Sequence, residues 1–270
     1  MQVFSKKSFD IFKSFLNYLL FSELYSKIEE VVFRKESFMS LLFNYSAEYM
    51  VILLCIRLLI VFTILPIHEF SHGYAARKLG DNTALISGRL TLNPLAHVDP
   101  IGAILLLLFG FGWAKPVPVN PRNFKNYRRD MALTALAGPL SNFICALIAI
   151  FANRVIANIA MNLLISDRAY ETLGFIVMGI RYFAVINLSL AIFNLIPVEP
   201  LDGSRILSYF LPPKANAFIA KYRQYFYIGM MILVFGGLLA KPLSKLIDCV
   251  YSLFNLLFFW VDILFKVILR

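Results

Sequence analysis

Apolar residues run along much of this chain without the return to a polar face that a water-exposed helix shows. Tyr49 to Ile67 carries one charge, Arg57, and Met131 to Asn153 carries none. Thr172 to Val198 is broken once, by Arg181, and Gln224 to Ala240 carries no charge. Leu246 to Leu269 is apolar and aromatic, interrupted by Asp248, Asp262 and Lys266. A helix crossing a bilayer needs about 20 mostly apolar residues. The pattern predicts an all-α polytopic membrane protein with about five to six transmembrane or embedded helices. Residues 246–269 are left open between spanning and lying at the interface.

Other stretches follow different rules. Over residues 1–46 phenylalanine, leucine and tyrosine alternate with charge, which predicts an amphipathic extension at the membrane interface. The first strong span covers 47–79, with Pro66 expected to bend it and Gly80 to stop it. In 83–100, "TALISGRLTLNPLAHVDP", threonine, leucine and valine alternate around glycine and proline. That predicts a short membrane-associated β hairpin or edge region before the helix carrying "AGPLSN". Residues 101–114 are apolar but too short for an upright span. In "AKPVPVNPRNF" (Ala114 to Phe124) the prolines forbid a helix interior and predict an extended edge. The chain thus divides into the extension at 1–46, a membrane core at 47–212 and C-terminal membrane helices at 213–270.

Composition agrees. The chain has 270 residues, 60% hydrophobic and 16% charged, against roughly 45–50% and about 25% in soluble domains. Its mean hydropathy is +0.73. The net charge is +10, but the basic residues alternate with apolar spans rather than forming one patch. They read as flanks facing anionic headgroups, so the lipid bilayer is the expected partner and nucleic acid is not. Cys55, Cys145 and Cys249 share no close spacing and are expected to be buried free thiols.

The chemistry is concentrated in "HEFSH", residues 68–72. Residues four apart lie on one face of a helix, so His68 and His72 can address one ion. Glu69 stands beside them, placed to take a proton from a water that the metal acidifies. Two imidazoles and a third ligand, with one position open, suit Zn2+, one per chain. Ionisable groups in an apolar span are costly and mark function. For the third ligand, Asp202 ranks first because it follows a proline-broken helix end and precedes Gly203. His97 ranks second and Glu199 third. Asn142, Asn194 and His97 are candidates for holding a developing oxyanion or positioning substrate. An alternative role for each is helix packing. Pro116, Val117, Pro118 and Val119 are candidates for contact with an extended substrate strand; a structural loop is the alternative.

Five stretches in this order, HExxH within a membrane helix, "NPLAHVDPIG", "GWAKPVPVNPRNF", "AGPLSN" and "NLIPVEPLDG", resemble the site-2 protease family of intramembrane zinc metalloproteases. The likeness is to small bacterial members without a PDZ or CBS domain, and it covers about residues 50–210. It implies that His68, His72 and Asp202 are zinc ligands and Glu69 the catalytic base. It implies a bacterial cell membrane protein whose active site faces the cytosol. It also implies cleavage of membrane proteins in or near their spanning segments, with transcription regulators or signal-peptide remnants as products or substrates. One departure stands out. Where the family pattern reads N-x-x-P-x-P-x-x-D-G, this chain keeps Asn194, Pro197, Asp202 and Gly203 but has Glu199 at the second proline, with Pro200 following. The other function classes compatible with the motif are a non-proteolytic zinc-binding membrane protein and a metal transporter. The intact Glu69 argues against the first, and zinc flux without peptide cleavage would mark the second.

Overall fold

The computed structural model describes residues 54–55, 58–109, 112–162 and 167–268. The expected extension at 1–46 and Arg57 lie outside them. The described elements are helical. In order they are α1 (Leu65–Lys78), α2 (Thr83–Ile86), α3 (Pro100–Phe109), α4 (Tyr127–Asn162), α5 (Asp167–Asn194), α6 (Asp202–Phe210), α7 (Pro213–Lys221), α8 (Arg223–Phe235), α9 (Ala240–Leu257) and α10 (Phe259–Ile268).

Pro66 has no N–H, and its ring crowds the carbonyl four residues back. The helix answers by loosening into a π turn over Ile60–Ile64 before resuming as α1. Its other end is set by Gly80, whose φ of +110° is a conformation that L side chains resist. The expected stop is present, and the helix is locally irregular just before Pro66.

Three stretches are long and apolar enough to cross a membrane: Tyr127–Ala160, Ile176–Asn194 and Ala240–Ile268. Their outer faces stay uncovered, with Leu140, Ile148 and Ile176 exposed. In a protein this apolar, such a surface fits lipid rather than water. Inside, α4 packs on α5 through fully buried alanines, Ala146 and Ala184, joined by Ile150, Leu188 and Ile192. Small residues let two helices approach closely where both are apolar. Ile247 of α9 closes this core, flanked by Tyr251 and Phe254. A polar clamp fixes the C-terminal helices: Arg154 on α4 grips Asp262 through Nε at 2.9 Å and Nη2 at 2.5 Å and also reaches the Asn255 carbonyl. Asn158 adds a bond to Asp262 at 2.8 Å.

The structure departs from the sequence expectations in several places. The β hairpin expected within 83–100 is not formed. Thr83–Ile86 is a single helical turn, and Pro94–Ala96 a 3-10 turn capped by the Asn93 side chain. One isolated antiparallel bridge, Val98 to Ala114, is the only β pairing among the described residues. Prolines at 94, 116 and 118 remove the N–H groups that a ladder would need. The expected span Gln224–Ala240 is instead the 13-residue helix α8. It ends because Gly236 and Gly237 follow, the latter at φ +73°, and its length of roughly 20 Å falls short of the hydrocarbon core. Three apolar helices of spanning length are found among the described residues; the expected five to six counted embedded helices with spanning ones. Cys55 and Cys249 are exposed rather than buried, and Cys145 is half-buried.

Candidate metal centre

Three donors from distant parts of the chain meet at one point. His68 and His72 project from successive turns of α1, and Asp202 opens α6. His68 Nε2 and His72 Nε2 are each 3.2 Å from Asp202 Oδ2, and 3.0 Å from one another. His68 is buried and Asp202 half-buried.

The other nitrogen of each ring decides what these atoms carry. His68 Nδ1 donates to Asn142 Oδ1 at 3.1 Å, and His72 Nδ1 donates to the Thr134 carbonyl at 2.7 Å. With the proton on Nδ1, both Nε2 atoms present lone pairs. Two lone pairs and a carboxylate oxygen then face each other with no hydrogen between them. Asp202 Oδ2 is buried and accepts no hydrogen bond. Such a set is repulsive unless a cation joins it. His68, His72 and Asp202 are the group of metal-type donors found among the described residues, and the mixed imidazole–carboxylate chemistry suits zinc. The residues therefore fit the ion that the motif implies.

The centre is framed by α4. Thr134, Gly138 and Asn142 are spaced four apart and so share one face of that helix. Gly138 sits against the imidazoles: a Cβ there would lie 2.4 Å from His72 Nε2 and 2.7 Å from His68 Cε1. Gly203, after Asp202, is held as tightly, since its Cβ would fall 2.3 Å from the Leu195 carbonyl oxygen. Both glycines are required by clearance. Sequence reading did not single out Thr134 or Gly138. Thr134 acts through its backbone, which leaves no trace in residue type. Gly138 lay within the quoted "AGPLSN", which carried part of the family resemblance but assigned its glycine no role.

Glu69 points to another neighbour. Its Oε2 accepts the Val117 backbone N–H at 2.9 Å, while Oε1 has no hydrogen-bond partner among the described residues. The extended run 115–119 thus lies alongside the glutamate. Asp81, fully buried after Gly80, anchors the far end of that run. It accepts from the Asn120 backbone N–H at 2.7 Å, Asn123 Nδ2 at 2.7 Å, Thr83 N at 3.0 Å and the Thr83 hydroxyl. At the near end Arg89 Nη2 donates to the Lys115 and Pro116 carbonyls. Val117 is buried, Pro118 and Val119 half-buried and Pro116 exposed.

The remaining sequence candidates fall elsewhere. His97 is buried in the loop before α3, where Nε2 donates to the Thr91 carbonyl at 2.7 Å. Its own carbonyl accepts Lys115 N–H, so it joins the loop to the extended run; it is not one of the grouped donors. Glu199 pairs with Arg223 at 3.4 Å. Asn194 Nδ2 donates to the Leu190 carbonyl one turn back in α5. Asn142 spends Oδ1 on His68, while its Nδ2 is buried without a partner.

The donor set has the make-up of a hydrolytic metal site, and the helices around it are those of a membrane protein. The chain belongs to Peptidase family M50, whose family model matches residues 56–236. It is a zinc-dependent metalloendopeptidase of the site-2 protease type. Among its relatives is "Putative zinc metalloprotease YwhC" of Bacillus subtilis, 40% identical over 215 residues, covering 76% of this chain and 92% of the relative. "Putative zinc metalloprotease Rip2" of Mycobacterium tuberculosis is 29% identical over 199 residues, covering 71% and 70%. The protein of the same name in Mycolicibacterium smegmatis is 24% identical over 188 residues, covering 68% of each. No solved structure matches the chain.

Proposed function

We propose that this protein cleaves other membrane proteins within or beside their spanning segments, with one zinc ion per chain held by His68, His72 and Asp202. The observation that carries the reading is the convergence of three lone-pair donors on one point, 3.0 to 3.2 Å apart. When bound, zinc supplies positive charge that acidifies a water and polarises a carbonyl.

The chain's own groups do the rest. Glu69 takes the proton from the water and returns it to the leaving amine. Its carboxylate is anchored through Oε2 by Val117 and retains Oε1 for the proton. Asn142 Nδ2, unpartnered and buried beside His68, is a donor for the developing oxyanion; Asn194 and His97 are committed to other bonds. A helical substrate hides its carbonyls in internal hydrogen bonds, so the scissile stretch must open. The extended run at Pro116, Val117, Pro118 and Val119 offers it a backbone to lie beside.

The site is reached from the cytosolic face of a bacterial cell membrane, crossed several times by the chain. The region 76–130 supports this orientation, with eight Lys or Arg against three acids, because basic loops stay inside. The substrates are membrane proteins or signal-peptide remnants. The deciding experiment is Glu69→Gln in proteoliposomes with a membrane-spanning substrate. Zinc content should be kept and cleavage lost; cleavage at the wild-type rate would end this reading.

A further inference from the structure

On the side of the molecule where α4 begins, a cavity of ≈ 630 Å³ opens between α4, α6, α7 and α8. Arg128, Arg205 and Arg223 line it, with Glu199 the only acid on its wall. The arginines differ in what they have left to give. Arg128 Nη2 is spent on the carbonyls of Ser208, Tyr209 and Leu211 at the end of α6. Arg223 holds Glu199 at 3.4 Å, in a pair exposed enough to exchange readily. Arg205 is exposed and has no ion-pair partner among the described residues. One cavity wall therefore carries an unneutralised guanidinium and a weakly engaged one, a charge balance that suits a phosphate.

A second cavity of ≈ 420 Å³ continues from the first, sharing Val198 and Phe226 with it. It runs along α8 from Tyr222 through Tyr225 and Met230 to Leu233, and its walls are almost wholly apolar. Tyr222 to Leu233 is roughly 16 Å of helix, close to the ~15 Å depth of one leaflet. Tyr222 and Tyr225 line this second cavity, next in sequence to Arg223 and Phe226 of the first, and such rings favour the headgroup boundary. An anionic head and one acyl chain of leaflet length describe a phospholipid.

We propose that α6, α7 and α8 form a binding site for an anionic phospholipid, its phosphate between Arg205 and Arg223 and an acyl chain along the groove of α8. The site goes beyond peptide hydrolysis and stands whatever the substrate is. It abuts Pro197, Val198, Glu199 and Ser204, so the lipid lies against the segment that carries Asp202. A free phosphate would fill only the first cavity.

The test uses the full zinc-loaded chain in phosphatidylcholine nanodiscs. These contain a small fraction of phosphatidylglycerol with a photoactivatable acyl chain, or the same probe on phosphatidylcholine. Adducts of the glycerol probe are expected within residues 218–233, well above those of the choline probe. Arg205→Gln with Arg223→Gln should cut glycerol-probe adducts about tenfold or more and leave choline-probe labelling unchanged. Glu199→Gln, which removes the competing carboxylate and no arginine, should raise glycerol-probe labelling. Equal labelling by the two probes, or no change in either variant, overturns the proposal. Displacement of the glycerol probe by inorganic phosphate alone reassigns the first cavity to a free anion and also overturns it. So does displacement by a membrane-spanning substrate peptide without lipid selectivity.

Discussion

Val117 donates its backbone N–H to Oε2 of Glu69 at 2.9 Å. The glutamate is thereby fixed by an atom that no side-chain substitution removes, except proline. Val117→Pro should lower kcat at least tenfold, because a hydrogen bond to a charged group is worth about 1.5–3 kcal/mol. Val117→Ala keeps the donor and should retain most activity. Steady-state cleavage of a membrane substrate by the two variants, with zinc content as the control, checks the difference.

Glu69→Gln keeps the size and the contact with Val117 but cannot take a proton. Cleavage should fall by about 10²–10⁴-fold with zinc stoichiometry unchanged by elemental analysis. His72→Ala should instead lose both.

Gly138→Ala places a methyl group 2.4 Å from His72 Nε2. In an ordinary helix interior the same change would favour the fold by about 1 kcal/mol. Here it should displace the imidazoles. The variant is expected to express and insert, yet bind zinc far more weakly, as read by competition with a fluorescent chelator.

Asn142→Ala removes the acceptor of His68 Nδ1–H. Zinc affinity should fall by about 10–100-fold, the usual cost of losing such a partner. Excess zinc should then refill the site, and any cleavage defect that persists at saturation measures the separate contribution of Asn142 Nδ2 to the oxyanion.

Asp81 gives a pH signature. Burial pushes its carboxyl up, but the Thr83, Asn123 and Asn120 donors outweigh that and hold it below its usual 3.8. A carboxylate with a depressed pKa contributes fully above the unfolded value and loses its contribution as pH falls through the folded one. Asp81→Asn should therefore lower thermal stability at neutral pH. The gap between variant and wild type should close below pH 3.8, as followed by melting of the detergent-solubilised protein.

Much of the centre was legible because its logic is local. His68, Glu69 and His72 lie within two turns of one helix, where spacing alone decides which residues share a face. Asp202 was legible because a proline-broken helix end followed by Asp-Gly is itself a local signal, and Gly203 proves to be forced by the Leu195 and Ile196 carbonyls. What escaped acts through the backbone or through empty space. The Thr134 carbonyl, the Val117 N–H and the clearance at Gly138 leave little mark on residue choice. The hairpin expectation failed for a related reason. Alternation over 83–100 predicts a strand only where a partner exists, and here the chain is instead turned by Asp81, which is joined to Asn120, 39 residues on. The expected span at 224–240 counted apolar residues correctly but gave too little weight to Gly236 and Gly237.

Thr134, Gly138 and Asn142 occupy one stripe of α4, and each meets the imidazoles differently: a carbonyl, a gap and an amide. Turning α4 by a single residue would rotate it about 100° and withdraw all three together. The helix is therefore indexed to α1 like a key to a lock. Mutational tolerance along it should be periodic. Changes at Leu140 or Ile144, which are exposed, should pass freely among apolar residues, while Gly138 and Asn142 admit almost no substitution. A deep mutational scan of this one helix would reproduce the outline of the metal centre without any structure.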